Sequence, residues 1–102
     1  MPSVLWKRAL LVDWQKSVFE LSDTRILLYL NEKKSARYSE LLKSVLKNRN
    51  TLANSLRQLQ KMKLVDRKVK ATRPVQTEYL LTDKGRKVTL HLIEIRRTLE
   101  SN

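Results

Sequence analysis

One glycine and two prolines in 102 residues leave this chain few places to turn sharply. Glycine and proline are the strongest interrupters of helix. Pro2 opens the sequence, so the internal breakers are Pro74 and Gly85. Helix is therefore favoured almost everywhere outside the neighbourhood of Pro74. There the pattern changes. Leu64, Val65, Arg67 and Val69 read as one strand and Thr77 to Leu81 as its return. Lys70 to Val75, with Arg73 and Pro74, is the turn between them. The sequence thus predicts a mainly α protein with a small β-hairpin.

Ser3 to Leu21 reads as a first helix. Its apolar residues, among them Leu5, Trp6, Leu10 and Trp14, cover more than one face. That is too much for a surface helix with a single buried stripe. Ser22 or Asp23 is the expected cap of a second helix. Ile26, Leu27, Leu28, Tyr29 and Leu30 make that helix nearly apolar all round, and it ends between Asn31 and Lys34. Ala36 to Tyr38 reads as a short connector or strand. Ser39 is expected to cap a short third helix with Leu41, Leu42, Val45 and Leu46 on one face. Lys47 to Asn50 is a polar turn in which Asn48 is a good N-cap. A fourth helix runs to about Lys63, with Leu52, Leu56 and Leu59 at i, i+4 and i+7. Thr82 or Asp83 caps a last helix to about Leu99. Val88, Leu92, Ile95 and Leu99 form a heptad-like stripe along it, with Leu90 and Ile93 alongside. Two over-apolar helices at the ends of a small domain imply pairing with a second copy. The alternative for the last helix is folding back onto its own domain.

Charge is as uneven as the apolar pattern. Lys33 to Gln76 carries 13 Lys and Arg against two acids, Glu40 and Asp66, a net +11 out of the chain's +12. Such a field on one region of a small domain calls for a polyanion. The block spans two short helices followed by a hairpin, the order of a winged helix-turn-helix. A B-DNA major groove admits one helix, whose outer face must offer donors and acceptors without bulky apolar groups. At about 100° per residue, the face opposite Leu52, Leu56 and Leu59 carries Asn50, Asn54, Arg57, Gln58 and Lys61. Asn and Gln pair with adenine, and Arg with guanine. Lys61, further along, suits a phosphate. Arg49 and Thr51 lie at the helix N-terminus, and Tyr38 and Ser39 at the start of the preceding helix; both ends can hold phosphates. Lys68, Lys70, Thr72 and Arg73 form the wing, along the backbone or with Arg73 in a minor groove. Taken singly, each of these is an ordinary surface residue; taken together they lie on two adjacent elements of a fitting motif. Tyr79 is expected in the core, with Glu78 on the opposite face pairing Arg67 or Lys68. Gly85 is expected where a side chain would clash with the hairpin's second strand.

Arg37-Tyr38-Ser39-Glu40-Leu41, Thr51-Leu52, Leu56-Arg57-Gln58-Leu59 and Leu64-Val65-Asp66-Arg67 resemble the core of the HxlR and MarR classes of winged-helix transcriptional regulators. The run Pro74 to Gly85, with its Glu-Tyr-x-Leu-Thr-x-x-Gly close, is the most specific part and resembles the HxlR class. The resemblance covers about Asp23 to Val88. It implies a homodimer on a pseudo-palindromic operator. The chain departs from relatives with an N-terminal cysteine, because it has none, and thiol sensing is excluded.

The expected architecture is one winged helix-turn-helix domain over residues 1–102. It divides into an N-terminal helix (1–22), a winged-helix core (23–82) and a C-terminal helix (83–102). Leu5, Trp6, Leu10, Trp14, Val88, Leu92, Ile95 and Leu99 are the expected dimer interface. The expected function is sequence-specific recognition of double-stranded DNA by a homodimeric regulator, as a repressor. The rival is a non-specific, chromatin-like architectural protein, which relies on Lys and Arg and needs no Asn/Gln face. An enzyme is not expected. His91 stands alone among apolar neighbours, and no Gly-rich phosphate loop, Cys nucleophile or carboxylate cluster with metal spacing occurs. No cofactor and no metal are expected. A small-molecule effector near Trp6, Trp14, Phe19 and Tyr29 is an open alternative to a plain dimer core. Lys7, Arg8 and Asp13 interrupt any signal-like stretch. No uncharged run exceeds the seven residues from Asn50 to Leu56, so no membrane span is expected. The expected location is the cytoplasm, on the nucleoid.

Overall fold

The computed structural model describes residues 18–101. The elements in order are α1 (Ser22–Lys33), β1 (Ser35–Arg37), α2 (Tyr38–Ser44), α3 (Arg49–Lys61), β2 (Val65–Lys70), β3 (Gln76–Leu81) and α4 (Asp83–Glu100). Val18 and Phe19 are helical. Leu5, Trp6, Leu10 and Trp14 lie outside the described residues.

The hairpin is part of a three-stranded antiparallel sheet of order β1-β3-β2, where a two-stranded hairpin was expected. β1 is three residues long and pairs Ala36 with Tyr79, more than forty positions downstream. Of the two readings open for Ala36 to Tyr38, connector or strand, the strand holds, one residue earlier; its place beside β3 is what local pattern does not give, because the partner is remote. Ala36 is buried on the same face as Tyr79, Leu81 and Val65. That face packs against Ile26, Leu27 and Leu30 of α1, Leu41 and Val45 around α2, and Leu52, Leu56 and Leu59 of α3 in a single core. Each buried leucine contributes about 1.5–3 kcal/mol by leaving water. Beyond Val65 every residue of β2 is exposed, so the wing leaves the body after one residue.

The helix ends show where sequence rules hold and where tertiary contacts override them. Asn48 caps α3, its Oδ1 accepting from the Thr51 N–H at 3.0 Å. Thr82 caps α4, its Oγ1 accepting from Gly85 N–H at 2.9 Å. Ser22 does not cap α1: Leu21 stands at that position, and the Ser22 hydroxyl lies 2.6 Å from the Ser55 hydroxyl of α3. Ser39 does not cap α2 either, since the helix already begins at Tyr38 and Arg37 precedes it. Two helices end on residues in the left-handed region, where glycine is usual: Lys34 (φ 72°) after α1 and Lys63 (φ 61°) after α3.

Gly85 has a definite reason to be glycine. A Cβ there would lie 1.9 Å from the Leu64 carbonyl oxygen. The neighbour is the residue entering the wing's first strand, not its second strand as expected. The same junction is tied by three further bonds. Thr82 Oγ1 donates to the Lys63 carbonyl at 2.6 Å, Thr82 N to the Leu64 carbonyl at 3.0 Å, and Lys84 Nζ to the Met62 carbonyl at 3.3 Å. The C-terminal end of α3 is thereby fastened to the start of α4.

Candidate nucleic-acid interface

α3 is held by one face and offers the other. Leu52, Leu56 and Leu59 are 0, 2 and 1% exposed. Arg49, Asn50, Thr51, Asn54, Arg57, Gln58 and Lys61 are all exposed. Arg57 Nη1 reaches Asn54 Oδ1 at 3.5 Å, a long bond that leaves both groups easy to redirect. The exposed side of the helix carries amide and guanidinium groups and no aliphatic side chain larger than the half-buried Ala53. It is therefore chemically suited to base edges.

Tyr38 and Ser39 sit at the start of α2, Ser39 exposed and Tyr38 half-buried against the core. The Tyr38 hydroxyl donates to the Arg49 carbonyl at 3.4 Å, so Tyr38 braces the start of α3. On the other side of α2, Tyr29 donates to Glu40 Oε2 at 2.5 Å. The hydrogen bond to the Glu40 carboxylate and burial hold the Tyr29 hydroxyl above its usual pKa of 10.0, with a smaller opposing effect from Ser44.

The wing exposes Lys68, Lys70, Thr72 and Arg73. Thr72 is less available than its position suggests. Its hydroxyl donates to the Pro74 carbonyl at 2.8 Å and shapes the turn. Glu78 faces Arg37 and Lys68 across the sheet but pairs with neither Lys68 nor Arg67. Its carboxylate takes Lys70 Nζ at 3.1 Å, one pleat along the outer face. Lysine is long enough for the diagonal neighbour. Arg37 instead donates to Gln76 Oε1 at 2.8 Å. Val69 and Val75 are exposed beside these cations.

Of the expected dimer residues, Val88 and Leu92 are half-buried against the chain's own core. Leu99 is half-buried and Ile95 exposed, as is Leu90 next to the stripe. His91 is exposed. Three cations that the sequence does not bring together meet beside these residues. Arg25, Lys43 and Lys47 line one cleft with Ser44, Asn48 and Thr51 at the turn before α3. They come from three segments, and no local spacing links them. Among the described residues no group of acidic or His side chains could hold a metal, and no helix is long and apolar enough to cross a membrane.

No curated protein sequence matches the chain. Among solved structures it is similar to the redox regulator HypR in its oxidised form, at 28% identity and TM-score 0.65, over 78% of this chain and 82% of that one. It is similar at 25% identity and TM-score 0.65 to a MarR-family regulator from Porphyromonas gingivalis W83, over 89% and 91%. The S. aureus MepR–DNA complex shares the fold at 24% identity and TM-score 0.70, over 93% and 80%. The pattern of the HxlR-like helix-turn-helix family matches residues 23–102, which takes in every described element from α1 to α4 but the first residue of α1. The chain therefore belongs to the HxlR-like helix-turn-helix family, and it is a DNA-binding transcription regulator of the winged helix-turn-helix type.

Proposed function

We propose that the protein is a homodimeric repressor that reads a pseudo-palindromic operator in double-stranded DNA. The observation that carries this is the division of α3. Its aliphatic face is buried, and its exposed face presents Arg49, Asn50, Asn54, Arg57 and Gln58. Asn50, Asn54 and Gln58 address adenine edges, Arg57 addresses guanine, and Lys61 meets phosphate. Arg49, Thr51 and the start of α2 at Ser39 hold the strand beside the groove. Lys68, Lys70 and Arg73 hold the flanking backbone from the wing.

In this reading dimerisation rests on the exposed apolar residues of α4 together with the apolar N-terminal residues Leu5, Trp6, Leu10 and Trp14. Leu90 is 54% and Ile95 39% exposed, apolar surface that a second copy would cover. Two copies would place half-sites about one helical turn apart, roughly 10 bp centre to centre. The protein then works in the cytoplasm, on the nucleoid, and needs no cofactor.

The test is selection from a random duplex library at near-physiological salt, followed by sequencing. Enrichment of an inverted repeat is the expected result. Tight, salt-sensitive binding with no enriched sequence would assign the protein to the architectural class instead.

A further inference from the structure

The cleft at the turn before α3 has a composition that ordinary surface does not explain. Arg25 comes from α1, Lys43 and Ser44 from α2, Lys47 and Asn48 from the turn, and Thr51 from the first turn of α3. Together they line a cavity of about 350 Å3. Three cations and no carboxylate face it. The ion pairs among the described residues are Lys70–Glu78 and Arg86–Asp83, so none of the three is neutralised there. From the end of α2 onward the sequence withholds acids, with no Asp or Glu between Glu40 and Asp66, although α1, which carries Arg25, also carries Asp23 and Glu32. Glu40 itself is engaged by the Tyr29 hydroxyl.

Like charges gathered in one cavity repel one another, and folding must overcome that repulsion. A bound anion removes it. The start of α3 adds partial positive charge of the same sign to the wall at Asn48 and Thr51. Arg25 supplies a planar fork suited to two oxygens of one anion, and the two lysines supply compact, adaptable charges.

We propose that this cleft is a phosphate clasp that takes one backbone phosphate of the DNA strand beside the groove entered by α3. The proposal rests on the DNA-binding reading of α3, whose first turn forms one wall of the cleft. Arg25 gives it a particular consequence. Because Arg25 stands on α1, one phosphate bridges the core helix and the start of the reading helix. The clasp thus fixes how far along the groove Asn50 and Asn54 sit. It supplies affinity to all sequences alike, since a phosphate carries no base identity.

The experiment compares full-length protein with Lys43→Met/Lys47→Met and with Arg25→Met, on the selected duplex and on random duplex, from 0.05 to 0.3 M salt (about the range over which counterion release is readily measured). All three side chains are exposed, so folding is retained and is checked by thermal melting. Lys87→Met/Arg97→Met, two exposed cations of α4, controls for net charge. The double lysine variant is expected to flatten the plot of log affinity against log salt by about one unit and to weaken both duplexes by roughly fivefold at 0.15 M. A slope equal to that of the α4 control overturns the clasp. Inorganic phosphate at millimolar concentration identifies the source of the anion. If it raises the melting temperature of the wild type but not of the double variant, while the DNA slope is unchanged, the cleft is a site for free phosphate and the backbone assignment is overturned. A wild type that binds both duplexes equally removes the sequence-reading function yet leaves the clasp standing on its slope. A wild type that binds neither removes both.

Discussion

Asn54 and Lys63 show how a single side chain acts through chemistry in one case and through backbone in the other. Asn54 is exposed in the middle of the face that α3 offers and has only a long bond to Arg57. Replacing it by alanine leaves the core untouched and removes a bidentate partner for adenine. Asn54→Ala is expected to reduce discrimination between operator and random duplex by about 1–3 kcal/mol. Competition binding with the two duplexes measures it; equal weakening on both would take Asn54 out of the reading face. Lys63 carries no such role. It closes α3 at φ 61°, where a Cβ crowds the following carbonyl. Lys63→Gly removes that crowding but adds freedom to the unfolded chain. The net expectation is stabilisation of about 0.5–1 kcal/mol in urea denaturation, without a change in operator preference. A chain with one glycine gave no hint that two helices turn left-handed at their ends. That knowledge came only from φ at Lys34 and Lys63. By contrast Asn48 and Thr82 were legible as caps, because a cap depends on near neighbours alone.

Among the elements, the wing and the α1–α2 contact make separate predictions. The wing is a ribbon of exposed residues beyond Val65, and Lys70 stands on it in a pair with Glu78. That pair is half-exposed and adds little to stability. Lys70→Ala is therefore expected to leave thermal melting nearly unchanged. It should weaken binding to every duplex and flatten the salt dependence by about one unit; an unchanged slope would exclude Lys70 from the contacts. The α1–α2 contact responds to pH. Tyr29 is held above pKa 10.0, chiefly by its hydrogen bond to Glu40. The folded protein therefore keeps a proton that the unfolded chain releases as pH rises past about 10. The stabilisation is complete below that pH and is lost above it. Tyr29→Phe is expected to be less stable at pH 7 and to show a shallower fall in stability above pH 10, in urea melts taken as a function of pH. Elements of this kind were only partly legible. The i, i+4, i+7 leucines of α3 and the apolar run of α1 announced themselves by period. β1 was legible only as one of two options, connector or strand, because its pairing to Tyr79 is a fact of tertiary structure. The clustering of Arg25 with Lys43 and Lys47 is illegible for the same reason.

At the scale of the molecule, the proposed dimer makes its own prediction. The apolar stripe of α4 divides along its length. Val88 and Leu92 pack against the chain's own core, whereas Ile95, further along, and Leu90, beside the stripe, are exposed. Folding back and pairing with a second copy, which the sequence posed as alternatives, are therefore compatible on one helix. The first half of α4 anchors the helix, and that anchor is stiff because Thr82, Lys84 and Gly85 fasten it to the end of α3. Leu90 and Ile95 are the exposed apolar side chains of α4 that a partner would cover. A dimer built on them would carry each reading helix at a distance set by a short chain of bonded backbone, which suits a fixed half-site spacing. Removing α4 from Val88 onward would strip Val88 and Leu92 from the core and so would not isolate the interface. Leu90→Glu/Ile95→Glu is the cleaner change, since both side chains are exposed and the core loses nothing. The variant is expected to sediment as a folded monomer and to lose about 100-fold or more in operator affinity, because two half-sites no longer act together. Its affinity for random duplex should fall far less, since the α3 face and the wing of each copy are intact. A variant that remains dimeric in sedimentation velocity would move the interface away from Leu90 and Ile95.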